Sequence, residues 1–147
     1  MTVYLDTSSI VKLYIREAGT DAVSALVRQA PIVSTSRVAY AESRAAFARL
    51  RREGALTSKA FAEVKGDFDS QWPAYLVVEV TDSLSRAAGT YAERYGLRGF
   101  DSVHLASFAE VARRAGVRDT VFSSFDDRLN TAARRMVQSL QRGGGES

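Results

Sequence analysis

The chain has 147 residues, 46% of them apolar, and a formal net charge of +3. That length suits one domain with a real core, and that composition excludes a disordered chain. There is no cysteine and a single histidine, His104, which excludes disulfides, thiolate metal sites, cysteine nucleophiles and multi-histidine metal sites.

Short apolar runs alternate with longer segments of helical period. Val3–Leu5 reads as a strand, and Ser8–Ile15 as a helix ending near Gly19. Val23, Leu26, Val27 and Ala30 carry the i, i+3, i+4, i+7 pattern of a second helix, broken by Pro31. Ile32–Val33 is a short strand. Arg37 to about Arg52 is a long helix stopped at Gly54. Phe61, Val64, Phe68 and Trp72 mark another, stopped by Pro73.

Leu76–Val80 is apolar apart from Glu79 and predicts a buried strand. Leu84, Ala87, Ala88, Tyr91, Ala92 and Tyr95 form one helix face closed by Gly96. Phe100–Ala115 is a helix ended by Gly116, Thr120–Ser123 a strand, and Asp127–Arg135 helical. This alternation predicts an α/β domain with a mainly parallel sheet. The glycine-rich segment Gly143–Ser147 is expected to be a disordered tail to a single domain over residues 1–142.

The N-terminus carries Asp6 and Lys12, unlike a signal peptide, and no stretch approaches the ~18 apolar residues of a membrane span. A cytoplasmic protein without a membrane partner is expected. Seventeen of the twenty cationic residues are arginine. Their planar forks suit phosphate, although genomic base composition accounts for the same bias. Arg49, Arg51 and Arg52, then Arg113, Arg114 and Arg118, then Arg134 and Arg135 cluster in a way that suits nucleic acid.

Four carboxylates stand in unusual places. Asp6 follows the first strand, Asp126 follows the last by a few residues, Asp101 opens a helix, and Glu42 sits among alanines. Asp6 and Asp126 converge if their strands are neighbours, because sites in open parallel sheets form at the strand carboxyl ends where strand order reverses. Each aspartate has a plainer reading: Asp6 begins a turn, Asp101 is an N-cap, and Asp126 with Asp127 caps the last helix. Glu42 is harder to dismiss. It shares a small apolar face with Val38, Ala41 and Ala45, and a buried charge needs a partner. Two carboxylates ~5 Å apart repel by roughly 3 kcal/mol at an effective dielectric near ~20. Either some of the acids are protonated or a divalent cation binds; all-oxygen ligation favours Mg²⁺ or Mn²⁺ over zinc, and a metal among carboxylates points to phosphodiester chemistry.

The segments V-Y-L-D-T-S-S (Val3–Ser9), L-R-G-F-D-S-V-H-L-A (Leu97–Ala106) and F-S-S-F-D-D-R-L (Phe122–Leu129), with the helical Glu42 between them, resemble the PIN-domain ribonucleases. The likeness is closest to the VapC-like toxins of bacterial toxin–antitoxin pairs, and it spans residues 3–135. The resemblance implies a three-layer sandwich, with a central, mainly parallel sheet of about four to five strands flanked by helices. It implies a metal-dependent endoribonuclease with an acidic quartet at Asp6, Glu42, Asp101 and Asp126. Asp6 and Asp101 would be the principal ligands to Mg²⁺ or Mn²⁺, supported by Thr7, Ser8 and Ser124. It further implies an RNA substrate, a cognate antitoxin, a homodimer and a toxin–antitoxin hetero-oligomer.

Two features depart from the family. A final strand is often present there, whereas Met136–Leu140 is a poor strand. The Asp126–Asp127 pair also leaves the fourth acid ambiguous, with Asp126 at the family's spacing from Ser124. His104, three residues after Asp101, either orients a group of the site or is a packed or partly exposed helix residue; the polar stripe it continues with Ser107, Glu110 and Arg114 favours the second reading. Lys12 and Arg16 are candidate phosphate contacts or a solvated face. Tyr40, Phe47, Phe61, Phe68 and Trp72 are expected in the core or an interface. Rival readings are a haloacid-dehalogenase-like phosphatase, which lacks its second aspartate at Ser8 and has no use for Glu42, a non-catalytic RNA- or protein-binding domain, and an RNA-processing nuclease outside any toxin pair.

Overall fold

Parallel strands form the centre of the molecule, in a computed structural model that describes residues 1–143. The strands are β1 (Thr2–Leu5), β2 (Ile32–Ser36), β3 (Leu76–Val78) and β4 (Thr120–Ser123). They lie in the order β3-β2-β1-β4, and every pairing is parallel. The chain steps outward from β1 to β3, then returns to place β4 on the other side of β1. Strand order therefore reverses between β1 and β4, with Leu5 beside Ser123.

Helices cover both faces. In chain order they are α1 (Thr7–Tyr14), α2 (Thr20–Gln29), α3 (Val38–Arg52), α4 (Ser58–Gln71), α5 (Asp82–Tyr95), α6 (Gly99–Ala115) and α7 (Asp127–Gly143). The alternation of β1 explains the two cores. Val3 and Leu5 point to one face and pack with Ile10, Val23, Ala39, Phe47 and Phe68, from α1 to α4. Tyr4 points to the other and packs with Leu105, Phe108, Leu129 and Met136, from α6 and α7. The expected three-layer sandwich is the fold observed, with four strands among the described residues.

Phe47 and Phe68 are fully buried, and Tyr40, Phe61 and Trp72 pack against their cluster, as expected for core aromatics. No described helix is long and apolar enough to cross a membrane.

The structure corrects several expectations. β2 extends beyond Ile32–Val33 through Ser34, Thr35 and Ser36, all fully buried. Hydroxyls can line a central strand here because Ser34 Oγ donates to the Val3 carbonyl (3.0 Å) and Thr35 Oγ1 to the Leu5 carbonyl (2.7 Å). β3 is not the buried strand its apolar run predicts. It pairs with β2 alone, at the sheet edge, and Leu76 is 52% exposed. α7 continues through Met136–Leu140, because Leu129, Ala132, Ala133 and Met136 keep the helical period that buries one face. Gly143 is its last residue, and residues 144–147 of the expected tail lie outside the described residues.

Candidate active site

Three helix N-termini meet the sheet at its switch point, and each carries one acid. Asp6, directly after β1, is the N-cap of α1. Asp101 lies in the first turn of α6. Asp126 accepts from the Leu129 N–H (2.8 Å) at the start of α7, the helix-capping role open to it from sequence. Asp101, by contrast, is not an N-cap; Arg98 occupies that position. Glu42 comes from the second turn of α3. The positive ends of the helix dipoles favour anions there.

Asp6 is only 4% exposed and its carboxylate is fixed by three donors. Ser8 Oγ (2.7 Å) and the Ser9 N–H (3.0 Å) reach Oδ1, and Ser124 Oγ (2.6 Å) reaches Oδ2. The Asp6 N–H donates to the Ser123 carbonyl (3.2 Å), and the Ser9 and Ser123 hydroxyls bond at 2.8 Å. The β1–β4 adjacency that the convergence required is therefore present. Ser8 and Ser124, two of the residues expected to support the site, both donate to Asp6. Removing either hydroxyl (Ser8→Ala or Ser124→Ala) should weaken divalent-metal affinity by about 10-fold or more, because outer-shell partners typically carry that much. Calorimetric titration with Mn²⁺ reads the change directly.

Glu42 finds the partners its placement demanded. Thr7 Oγ1 donates to Oε1 at 2.6 Å, and His104 Nε2 lies 2.8 Å from the same oxygen. His104 Nε2 is also 3.1 Å from Thr7 Oγ1, while Nδ1 bonds the buried Tyr4 hydroxyl at 2.8 Å. A carboxylate cannot face a nitrogen lone pair, so Nε2 carries a proton, and in the neutral imidazole Nδ1 then accepts from the Tyr4 hydroxyl. Burial opposes the Glu42 charge, but the bonds from His104 and Thr7 outweigh it and hold its pKa below the usual value. His104 is packed, as the favoured reading expects: it is 2% exposed, and Ser107, which shares its polar stripe, is fully buried beside it on α6. It also bonds the Glu42 carboxylate, the kind of contact that the other option, orienting a group of the site, calls for. Tyr4, Ser9 and Ser123 escaped the sequence reading because each lies within a strand or helix pattern that packing alone explains.

Asp101 is the opposite case. Partial burial raises its pKa first, then the charge of Asp126; His104 acts in the other direction, and Asp6 and Glu42 raise it further. The four acids thus share one electrostatic neighbourhood. Among the described residues, none of Asp6, Asp101 and Asp126 pairs with a lysine or arginine. Carboxylate oxygens without a cationic partner fit a hard divalent cation by charge and chemistry. No group of three or more described histidine, aspartate and glutamate side chains is already placed to hold an ion between them.

Asp127, the rival fourth acid, is exposed on α7, where it lines a shallow depression with Tyr95, Arg128 and Arg135. Lys12 and Arg16 are paired with Glu17 (3.0 Å) and Asp21 (2.9 Å).

A doubly wound parallel sheet with acids gathered at its switch point defines an α/β domain organised around a cleft at the strand carboxyl ends. Within that class, the chain belongs to the PIN-domain family, whose profile matches residues 3–135. It is 39% identical over 131 residues to Ribonuclease VapC45 of Mycobacterium tuberculosis, covering 89% of this chain and 88% of that one. Among solved structures it resembles the sarcin-ricin-loop-cleaving toxin VapC20 of Mycobacterium tuberculosis, at TM-score 0.61 and 21% identity over 88% of this chain and 94% of that one. It also resembles VapBC2 of Rickettsia felis, solved with a DNA fragment from its promoter, at TM-score 0.53 and 13% identity over 86% and 100%. The two structural likenesses bear on the fold alone.

Proposed function

We propose that this protein is a metal-dependent endoribonuclease and the toxin of a toxin–antitoxin pair. The observation that carries the reading is the gathering of Asp6, Glu42, Asp101 and Asp126 at the switch point, in a chain 39% identical to a VapC ribonuclease.

Asp6 and Asp101 would be the direct ligands of Mg²⁺ or Mn²⁺, with Glu42 and Asp126 reaching it directly or through water. Mg²⁺ retains several waters and needs only one or two carboxylates, so a site without a closed set of ligands suits it. Bound there, such an ion would neutralise charge on the scissile phosphate and lower the pKa of the attacking water. The chain's own work is positional. Ser8, Ser9 and Ser124 hold both oxygens of Asp6, and Thr7 and His104 hold one oxygen of Glu42, leaving Oε2 uncommitted. Asp126 keeps Oδ2 in the same state while Oδ1 caps α7, and its charge is the leading one acting on Asp101. That favours Asp126 over Asp127 as the fourth acid.

A cognate antitoxin and a homodimer belong to the same proposal, by analogy with VapC relatives. The test is incubation of total RNA with antitoxin-free protein in Mg²⁺, Mn²⁺ or EDTA, beside Asp6→Asn. Discrete fragments that need metal and disappear in the variant are the expected result. Intact RNA of every class with folded, metal-loaded protein would sink the reading.

A further inference from the structure

We propose that Phe100 and Phe125 are base-stacking platforms at the rim of the acid cleft, taking unpaired nucleobases of the RNA next to the scissile phosphate. This rests on the ribonuclease reading and names the form of substrate the cleft accepts: a flexible single strand or loop.

The first support is where the exposed aromatic surface lies. Phe100 is 63% exposed and Phe125 is 43% exposed. Every tyrosine, the tryptophan and the other five phenylalanines are buried or half-buried. Each exposed ring directly precedes an acid of the cleft, Asp101 and Asp126 respectively. His104, one turn after Asp101 on α6, lies 3.1 Å from the Thr7 hydroxyl, and the Asp126 N–H donates to the Ser124 hydroxyl (3.0 Å) that in turn donates to Asp6 (2.6 Å), so the segments that carry the two rings border one site around Asp6 and Thr7.

The second support is that Phe125 is seated. Its N–H donates to Ser8 Oγ (3.0 Å), the same hydroxyl that donates to Asp6 Oδ1 (2.7 Å). The backbone of the platform is therefore one side chain away from the central carboxylate. Its ring edge rests on Gly19, where an added Cβ would come within 2.5 Å of Phe125 Cε1 and where φ is +97°. Glycine permits that backbone and that approach together. The Lys12 ammonium stands 4.6 Å from the ring centroid. One side of the ring thus carries a cation, itself paired with Glu17 (3.0 Å), which holds the ring in place and leaves its exposed aromatic surface to meet a base.

Single-stranded RNA offers unpaired base faces, and stacking tolerates any base because each has a π-face. A duplex buries its base faces and offers no such contact.

The experiment uses the full chain carrying Asp6→Asn, to bind without cutting. Its probe is a mixed-sequence single-stranded RNA with 2-aminopurine placed at successive positions. Stacking on a platform is expected to change the fluorescence of the probe at one or two neighbouring positions. Phe100→Leu and Phe125→Leu, which keep apolar area but lose the ring, should abolish that change and weaken binding about 5- to 100-fold. Phe100→Trp and Phe125→Trp should retain both. Leucine variants that bind RNA and change its fluorescence like the parent would overturn the inference. So would leucine variants that bind RNA normally but lose affinity for an antitoxin, which would assign the rings to a protein partner.

Cleavage of total RNA by the otherwise wild-type chain separates the two readings. If wild type and both leucine variants cut equally fast, the platforms fall and the nuclease stands. If wild type cuts nothing and the Asp6→Asn chain binds no RNA, both fall.

Discussion

Asp101→Asn is expected to reduce metal-dependent RNA cleavage by ~100-fold or more, since loss of a residue proposed as a direct ligand should exceed the loss of an outer-shell partner. The same substitution should stabilise the metal-free protein. Partial burial and then the charges of neighbouring acids, Asp126 first, disfavour the Asp101 carboxylate in the fold. An unfolded aspartate titrates near ~3.9, and the folded group titrates above that. Between those two values the native state holds a proton that the unfolded state has lost. Stability contributed by this residue therefore falls as pH rises through the window and stays reduced above it.

Asparagine removes that dependence. The melting temperature of the variant should exceed that of wild type at neutral pH in EDTA, and the gap should close as pH falls below ~4. Each kcal/mol of repulsion relieved is worth about 2–4 °C in a chain of this size. Mg²⁺ should raise the wild-type melting temperature through binding linkage and leave the variant nearly unmoved. A variant less stable than wild type in EDTA at neutral pH would contradict the crowding argument. These outcomes place Asp101 where function holds a residue against stability.

His104→Ala should act in the reverse direction and weaken the fold. The imidazole ties the fully buried Tyr4 hydroxyl to Glu42 through its two nitrogens. Its removal leaves one buried hydroxyl and one partly buried carboxylate short of partners. That costs about 2–4 kcal/mol, with the carboxylate's share discounted for its exposure, or roughly 5–15 °C in melting temperature. Thermal unfolding at neutral pH measures it, and a shift below ~1 °C would be inconsistent with the network.

The pH signature has the opposite sign from that of Asp101. The folded pKa of Glu42 is depressed, so its bonds stabilise the protein above the unfolded value near ~4.3 and are lost as pH falls through the folded value. The alanine variant should lose that acid-side component. Because His104 is the only histidine in the chain, its two ¹⁵N resonances can be read without assignment ambiguity. They should report the Nε2–H tautomer.

How far the sequence alone reached depended on the range of the forces involved. Local rules settled the elements: Gly96 and Gly116 ended their helices, and the 3.6-residue period of Leu84 to Tyr95 marked α5. They also flagged the acids, because a carboxylate at the end of an apolar run, or on a small apolar face as with Glu42, is conspicuous on solvation grounds. Residue spacing could not supply partners. Ser124 lies 118 positions from Asp6, and His104 lies 62 from Glu42; each pair met only because β4 returned beside β1 and α6 packed under that strand. The same limit explains the misreadings. Leu76–Val80 has the composition of a buried strand, but its exposure was set by its edge position, and Ser34–Ser36 reads as polar although neighbouring carbonyls satisfy two of its hydroxyls. The sequence by itself determined which groups needed compensation and where helices and strands could form. Only the tertiary structure decided which groups supplied that compensation, because hydrogen bonds and charge repulsion act through space over a few ångströms and are blind to distance along the chain.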